Sequence, residues 1–169
     1  MKRVVAVAVA ILFAVASAWA QERGPSTPEE RAKAVKLARL LENDPLGPQA
    51  KEARQWFTVW LVVVPDITVS LCSDLLGPVP RSAKRYESEI VVQAAYSEAA
   101  FIIENPDKAK DQVAVYQAGL QGSVKTYESI RKAQPKLAWP FLEELEKKDS
   151  GELQAYVASA VQKCSAQRR

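Results

Sequence analysis

The chain contains no histidine. That absence removes serine–histidine–aspartate and cysteine–histidine nucleophilic mechanisms, histidine metal ligation and histidine pH switching together. Cysteine is scarce as well. Cys72 and Cys164 are the only two, and without histidine they cannot complete a zinc site. Six glycines are scattered along the chain, and none forms a phosphate-cradling loop; no EF-hand loop or nucleophile elbow is present either. Any enzyme made from this sequence must rely on carboxylates, lysine, tyrosine or a bound cofactor, and no cofactor or metal motif is recognisable. A dominant charge is also missing. There are 23 basic and 20 acidic residues, and the excess shrinks to one when Lys2 and Arg3 are set aside. Strong attraction to nucleic acid or to an anionic membrane is not indicated.

The longest apolar run comes first. Lys2 and Arg3 precede an uninterrupted apolar stretch from Val4 to Ala16, and Ser17-Ala18-Trp19-Ala20 supplies small residues before Gln21. This is the layout of a secretory signal peptide. The stretch falls short of the ~20 residues that a membrane-spanning helix needs; a retained anchor is the alternative reading. The expected organisation is therefore a signal peptide over 1–20, a flexible segment over 21–26, one helical domain over 27–164 and a tail over 165–169. Gln21, not a cysteine, stands directly after the cleavage point, so a lipid anchor is not indicated. The destination is the periplasm or the exterior. In an oxidising compartment an even cysteine count favours a disulfide, which predicts a Cys72–Cys164 bridge. A loop that long contributes roughly 4–5 kcal/mol in the chain-entropy model. Two buried free thiols are the alternative.

Ten prolines cut the remainder into helix-length pieces, because proline is tolerated in a first helical turn and expelled from interiors. Thr27-Pro28-Glu29-Glu30 carries an N-cap, a proline at N1 and a capping-box glutamate, and Ala34, Leu37, Ala38 and Leu41 follow at helical spacing. A second helix is predicted over 49–64. From Trp56 to Val64 only Thr58 is polar, which places this helix at the centre of the fold. Residues 67–76 are ambiguous: Ile67, Val69 and Leu71 alternate like a strand, but no partner strand exists, and a short helix is predicted. Pro65-Asp66 and Asp74 exclude a membrane span through 56–76.

Ser82 opens a helix reaching Glu104. Helical spacing then continues from 107 to 134, although Gly119 and Gly122 lie inside it and each costs up to about 1 kcal/mol; one helix closely approached by a neighbour is the preferred reading, and a break into a hairpin is the alternative. A short helix over 137–148 and a last one over 150–164, capped by Asp149 with Glu152 at N3, complete the set. The result is an all-α, irregular bundle of about seven helices stapled by one disulfide. The segments Ala34 to Leu41 before Pro45, and Ser123 to Ile130 before Pro135, resemble second helices of tetratricopeptide repeats. That resemblance implies stacked helical hairpins as an alternative architecture. The prolines do not keep the repeat's period of about 34 residues.

Trp56, Phe57 and Trp60 could line an apolar pocket or anchor a partner, where tryptophan is enriched; core packing explains them as well. Tyr116 and Tyr127 form a second aromatic stripe. Trp139, beside Pro140, is the aromatic expected to be partly exposed. Glu143, Glu144 and Glu146 read as a solvated helix face. Asp66 and Asp74 flank an apolar segment and are the candidate buried acids, with helix capping the simpler role for Asp66. The functional expectation is an exported, non-enzymatic module that binds or scaffolds another exported protein. A carrier of a small apolar ligand and a carboxylate-based enzyme are the alternatives.

Overall fold

The computed structural model describes residues 23–167; the signal-peptide reading over 1–20 lies outside the described residues. Six α-helices follow one another among them: α1 (Pro28–Asn43), α2 (Ala50–Val63), α3 (Glu87–Glu104), α4 (Gln112–Ala133), α5 (Pro140–Glu146) and α6 (Ser150–Gln167). Short 3₁₀ turns cover Ser73–Leu76, Arg81–Tyr86 and Pro106–Lys108. The Thr27 hydroxyl accepts from the Glu30 N–H while the Glu30 carboxylate accepts from the Thr27 N–H, which completes the predicted capping box of α1. Asp149 and Glu152 make the same reciprocal pair at the start of α6.

The antiparallel pair α3 and α4 is the spine, in the most extensive helix contact of the molecule. Two small residues on each helix let the backbones approach. A Cβ added at Gly122 would lie 1.9 Å from the Ser97 Oγ, and one at Gly119 would lie 3.0 Å from the Ala94 carbonyl oxygen. The two glycines therefore mark a close helix crossing inside one continuous helix. α3 is buried on all sides from Gln93 to Ala100. Its amino-terminal end is shorter than predicted: Ser82 donates to the Ala138 carbonyl from a 3₁₀ turn, and the α-helix starts at Glu87.

Two cores flank this spine. Ala34, Ala38, Leu41, Phe57, Trp60 and Tyr96 belong to one, built from α1, α2 and part of α3. Leu120, Tyr127, Ile130, Trp139, Leu142 and Val157 belong to the other, with both cysteines. Helix α2 is not central, contrary to the sequence expectation. Ala50, Ala53, Phe57 and Trp60 are buried, a single face at i, i+3, i+7 and i+10, while among the described residues the opposite side of the helix is exposed. Only the end of 67–76 is helical, as the 3₁₀ turn Ser73–Leu76. Ile67 is held in the first core and Cys72, Leu75 and Leu76 in the second. Bridging two cores needs reach, and an extended chain covers about 3.3 Å per residue against 1.5 Å in a helix. The segment accordingly runs irregular to Cys72 and turns once through Ser73–Leu76. The Cys72–Cys164 disulfide forms, with the Cα atoms 6.0 Å apart. Among the described residues no helix is long and apolar enough to cross a membrane.

Candidate functional site

Two depressions in the surface carry chemistry. The larger is an open groove of about 540 Å³ along α2, lined by Trp56, Val59, Trp60 and Val63 and edged by Arg23, Glu30, Glu52 and Gln55. Trp56 stacks on Trp60 with ring centroids 5.6 Å apart, and the Lys33 ammonium lies 4.2 Å from the Trp56 ring centroid. Trp60 stays buried against Phe57 and anchors the stack, while Trp56 is its half-buried ring. Beyond it the helix presents Val59, Val62 and Val63 to solvent at 60, 80 and 48% exposure. Single exposed apolar residues are ordinary; three grouped on one helix beside a tryptophan pair form a patch of the kind found at binding sites.

The amino-terminal segment that edges this groove makes specific polar contacts from Arg23 onward. Arg23 pairs with Glu30. Asp66 accepts from both the backbone N–H and the hydroxyl of Ser26, each at 2.8 Å, and from the Arg31 guanidinium at 2.6 Å. Asp66 is thus neither a helix cap nor a buried acid; it is a clasp on residues 26–31. Burial opposes its ionisation, but the Ser26 and Arg31 hydrogen bonds outweigh that and hold the carboxyl down at about 2. Asp74 is exposed, and its backbone carbonyl receives the Tyr156 hydroxyl. The two acids share no cleft.

The aromatic candidates separate in the same way. Tyr116 and Tyr127 are core residues. The Tyr127 hydroxyl donates to Glu143 and accepts the Trp139 backbone N–H at 3.1 Å, while Arg131 lies 5.2 Å from its ring and pairs with Glu143 and Glu146. Burial, then the bond to Glu143, pushes the phenol up. Trp139 is fully buried, not exposed. The proline that follows it starts α5, and packing of Leu142 and Leu145 onto α4 carries the preceding indole into the core. It offers no surface to a partner.

The second depression has no counterpart among the sequence candidates. It is a cavity of about 340 Å³ between α3 and the 71–79 segment, walled by Leu71, Cys72, Leu75, Leu76, Val79, Val91 and Ala94, with Glu98 and Glu87 as its only charged lining residues. Glu98 is 1% exposed. One of its oxygens accepts the Ser70 N–H at 3.2 Å, and among the described residues no cation pairs with it. Burial pushes this carboxyl up to about 8, against the smaller opposing effect of the Ser70 N–H. Gly119 leaves it room: a Cβ there would come within 2.9 Å of the Glu98 Oε1.

A second buried acid was equally unforeseen. Glu42, at the end of α1, is also 1% exposed, but it is surrounded. It receives Arg39 at 2.6 Å and the Ser97 hydroxyl at 2.8 Å, with the Lys125 ammonium 3.6 Å away. Gln93 extends this network by donating to Ser97 and to the Ala38 carbonyl. No group of three or more cysteine, aspartate or glutamate residues is placed to hold a metal ion among the described residues. No protein-family model, curated protein or solved structure matches this chain.

Proposed function

We propose that this chain is an exported, non-enzymatic binding module that engages another exported protein through the tryptophan groove of α2. The observation that carries the reading is the face of that helix left uncovered among the described residues. Val59, Val62 and Val63 stand in solvent next to an anchored Trp56–Trp60 stack. A partner that covered them would remove apolar surface from water at roughly 25 cal/mol per Å². Arg23, Glu30, Lys33 and Glu52 surround the patch with both signs of charge, the pattern of an apolar interface centre with a polar rim. A mixed rim favours a partner of low net charge that presents an apolar segment. Export accords with the signal-like residues 1–20, and the disulfide is consistent with an oxidising compartment.

The substitution set Val59→Asp, Val62→Asp and Val63→Asp tests the docking face, since these side chains are exposed and the fold does not depend on them. The full chain, affinity-tagged at its carboxyl end, captures its partner from the exported fraction of its native host, and the partner's affinity is then measured with purified components. The triple variant should bind at least tenfold more weakly. Retention of full affinity would move the interface elsewhere. Amino-terminal sequencing of the exported material should begin at Gln21; an intact chain confined to the cytosol would overturn the export part.

A further inference from the structure

We infer that the cavity between α3 and residues 71–79 is a binding site for a small organic ammonium ion with an apolar body, held by the Glu98 carboxylate. The inference is independent of the tryptophan groove of α2 and concerns α3 and the segment packed on it. Three features of the cavity carry it. Its wall is aliphatic, from Leu71, Leu75, Leu76, Val79 and Val91, and its volume of about 340 Å³ falls within the ~300–1,000 Å³ of small-molecule sites. Its charge is of one sign: Glu98 and Glu87 line it and no lysine or arginine does. Glu87 is already engaged by Lys84 at 2.9 Å outside the cavity lining, so of the two acids Glu98 is the one without a counter-ion among the described residues.

Buried carboxylates in proteins are paired or held by several donors. Glu42, a helix-turn's packing away, follows that rule with two cations and a hydroxyl. Glu98 has one backbone N–H. Its retained proton, which burial favours, is the substitute for the missing cation. An incoming ammonium replaces that proton, which passes to the buffer; no covalent bond forms or breaks. The aliphatic wall then covers the ligand's hydrocarbon part.

The probes are 2-phenylethylammonium chloride and the neutral 2-phenylethanol, titrated calorimetrically into the full folded protein at pH 7 in two buffers of different ionisation enthalpy. The ammonium should bind at least tenfold more tightly than the alcohol and release close to one proton. Glu98→Gln, which keeps the shape, should lose that preference and the proton release. Equal affinity for both probes, no saturable binding of the ammonium at millimolar concentration, or an unchanged preference in Glu98→Gln would each overturn the assignment. Should Glu98→Gln fail to fold, carboxyl-carbon NMR of the unsubstituted protein decides. The Glu98 resonance moves to its ionised position when the ammonium is added if the site is as assigned, and stays in place if it is not.

Discussion

Glu42 and Glu98 are equally hidden, at 1% exposure each, yet their surroundings are opposites. Glu42 closes the carboxyl end of α1 where Arg39 and Lys125 reach it from half-exposed positions, and Ser129 caps the adjacent orphan carbonyl of the same residue. Glu98 sits on the far part of α3 against an aliphatic wall with a single donor. Burial depth alone therefore does not decide what a buried acid does. The count of donors and cations around it does, and by that measure Glu42 is a structural joint between α1, α3 and α4 while Glu98 is an unfilled valence.

The strongest way to disturb the contrast is to loosen one side only. Replacing Cys72 and Cys164 with serine frees the wall of the Glu98 cavity and leaves the Glu42 network intact. The cost should be about 4–5 kcal/mol, read from urea unfolding, and the Glu98 carboxyl should fall from about 8 toward the ordinary 4.5 as water enters. A retained high value would show that α3 and α4 alone keep Glu98 dry. The next largest effect comes from making Glu42 resemble Glu98. Arg39→Met combined with Lys125→Met strips both cations and should cost about 3 kcal/mol, the penalty of an uncompensated buried charge. Arg39 also pairs with the exposed Glu104, so Glu104→Gln is the control, expected to cost under about 1 kcal/mol. Equal losses in the two would mean that Ser97 alone suffices for Glu42.

The smallest effect is a pH slope. The Glu98 carboxyl is raised in the fold to about 8 from 4.5, so the folded state holds more protons than the unfolded chain between those values. Stability must then fall as pH rises through that window, by about 1 kcal/mol from pH 6 to pH 7. Glu98→Gln should flatten the slope there. Asp66 works with the opposite sign in a separate window: its carboxyl is lowered to about 2 from 3.8, so its contribution is present above 3.8 and is lost as pH falls through about 2. Urea midpoints across pH 5–8 for the two proteins test the Glu98 assignment, and parallel curves would refute it.

Local signals carried much of the fold. Thr27-Pro28-Glu29-Glu30 and Asp149-Ser150-Gly151-Glu152 state their caps in the chain itself, and proline boundaries need no tertiary information. The spacing on either side of Gly119 and Gly122 allowed one helix or a hairpin, and the close approach of α3 resolves it as one helix. What failed was burial, because burial is decided by partners far away in sequence. Helix α2 reads as surrounded from Trp56 to Val64, but only its Phe57 face meets another helix. Trp139 reads as a loop residue, but α5 folds it inward. Both acids sit in ordinary helical surroundings, Leu41-Glu42-Asn43 and Ser97-Glu98-Ala99, and neither advertises its fate. One signal was available for Glu98: it is the lone charge in the small and apolar run from Val91 to Ile103, a stretch whose alanines and serine match the two glycines of α4.

The bridge between residues 72 and 164 also divides the molecule in a way that packing alone does not. It closes a covalent ring through α3, α4, α5 and most of α6, and leaves α1 and α2 outside as a tethered hairpin. A protease that nicks one loop within the ring releases nothing, because both pieces stay joined through sulfur. A nick in the exposed stretch at Pro65–Asp66 leaves the groove-bearing hairpin attached by non-covalent contacts alone. Retention of the docking arm after such a cut rests on the α1 packing and the Glu42 network alone, whereas a single cut inside the ring is held by a covalent bond.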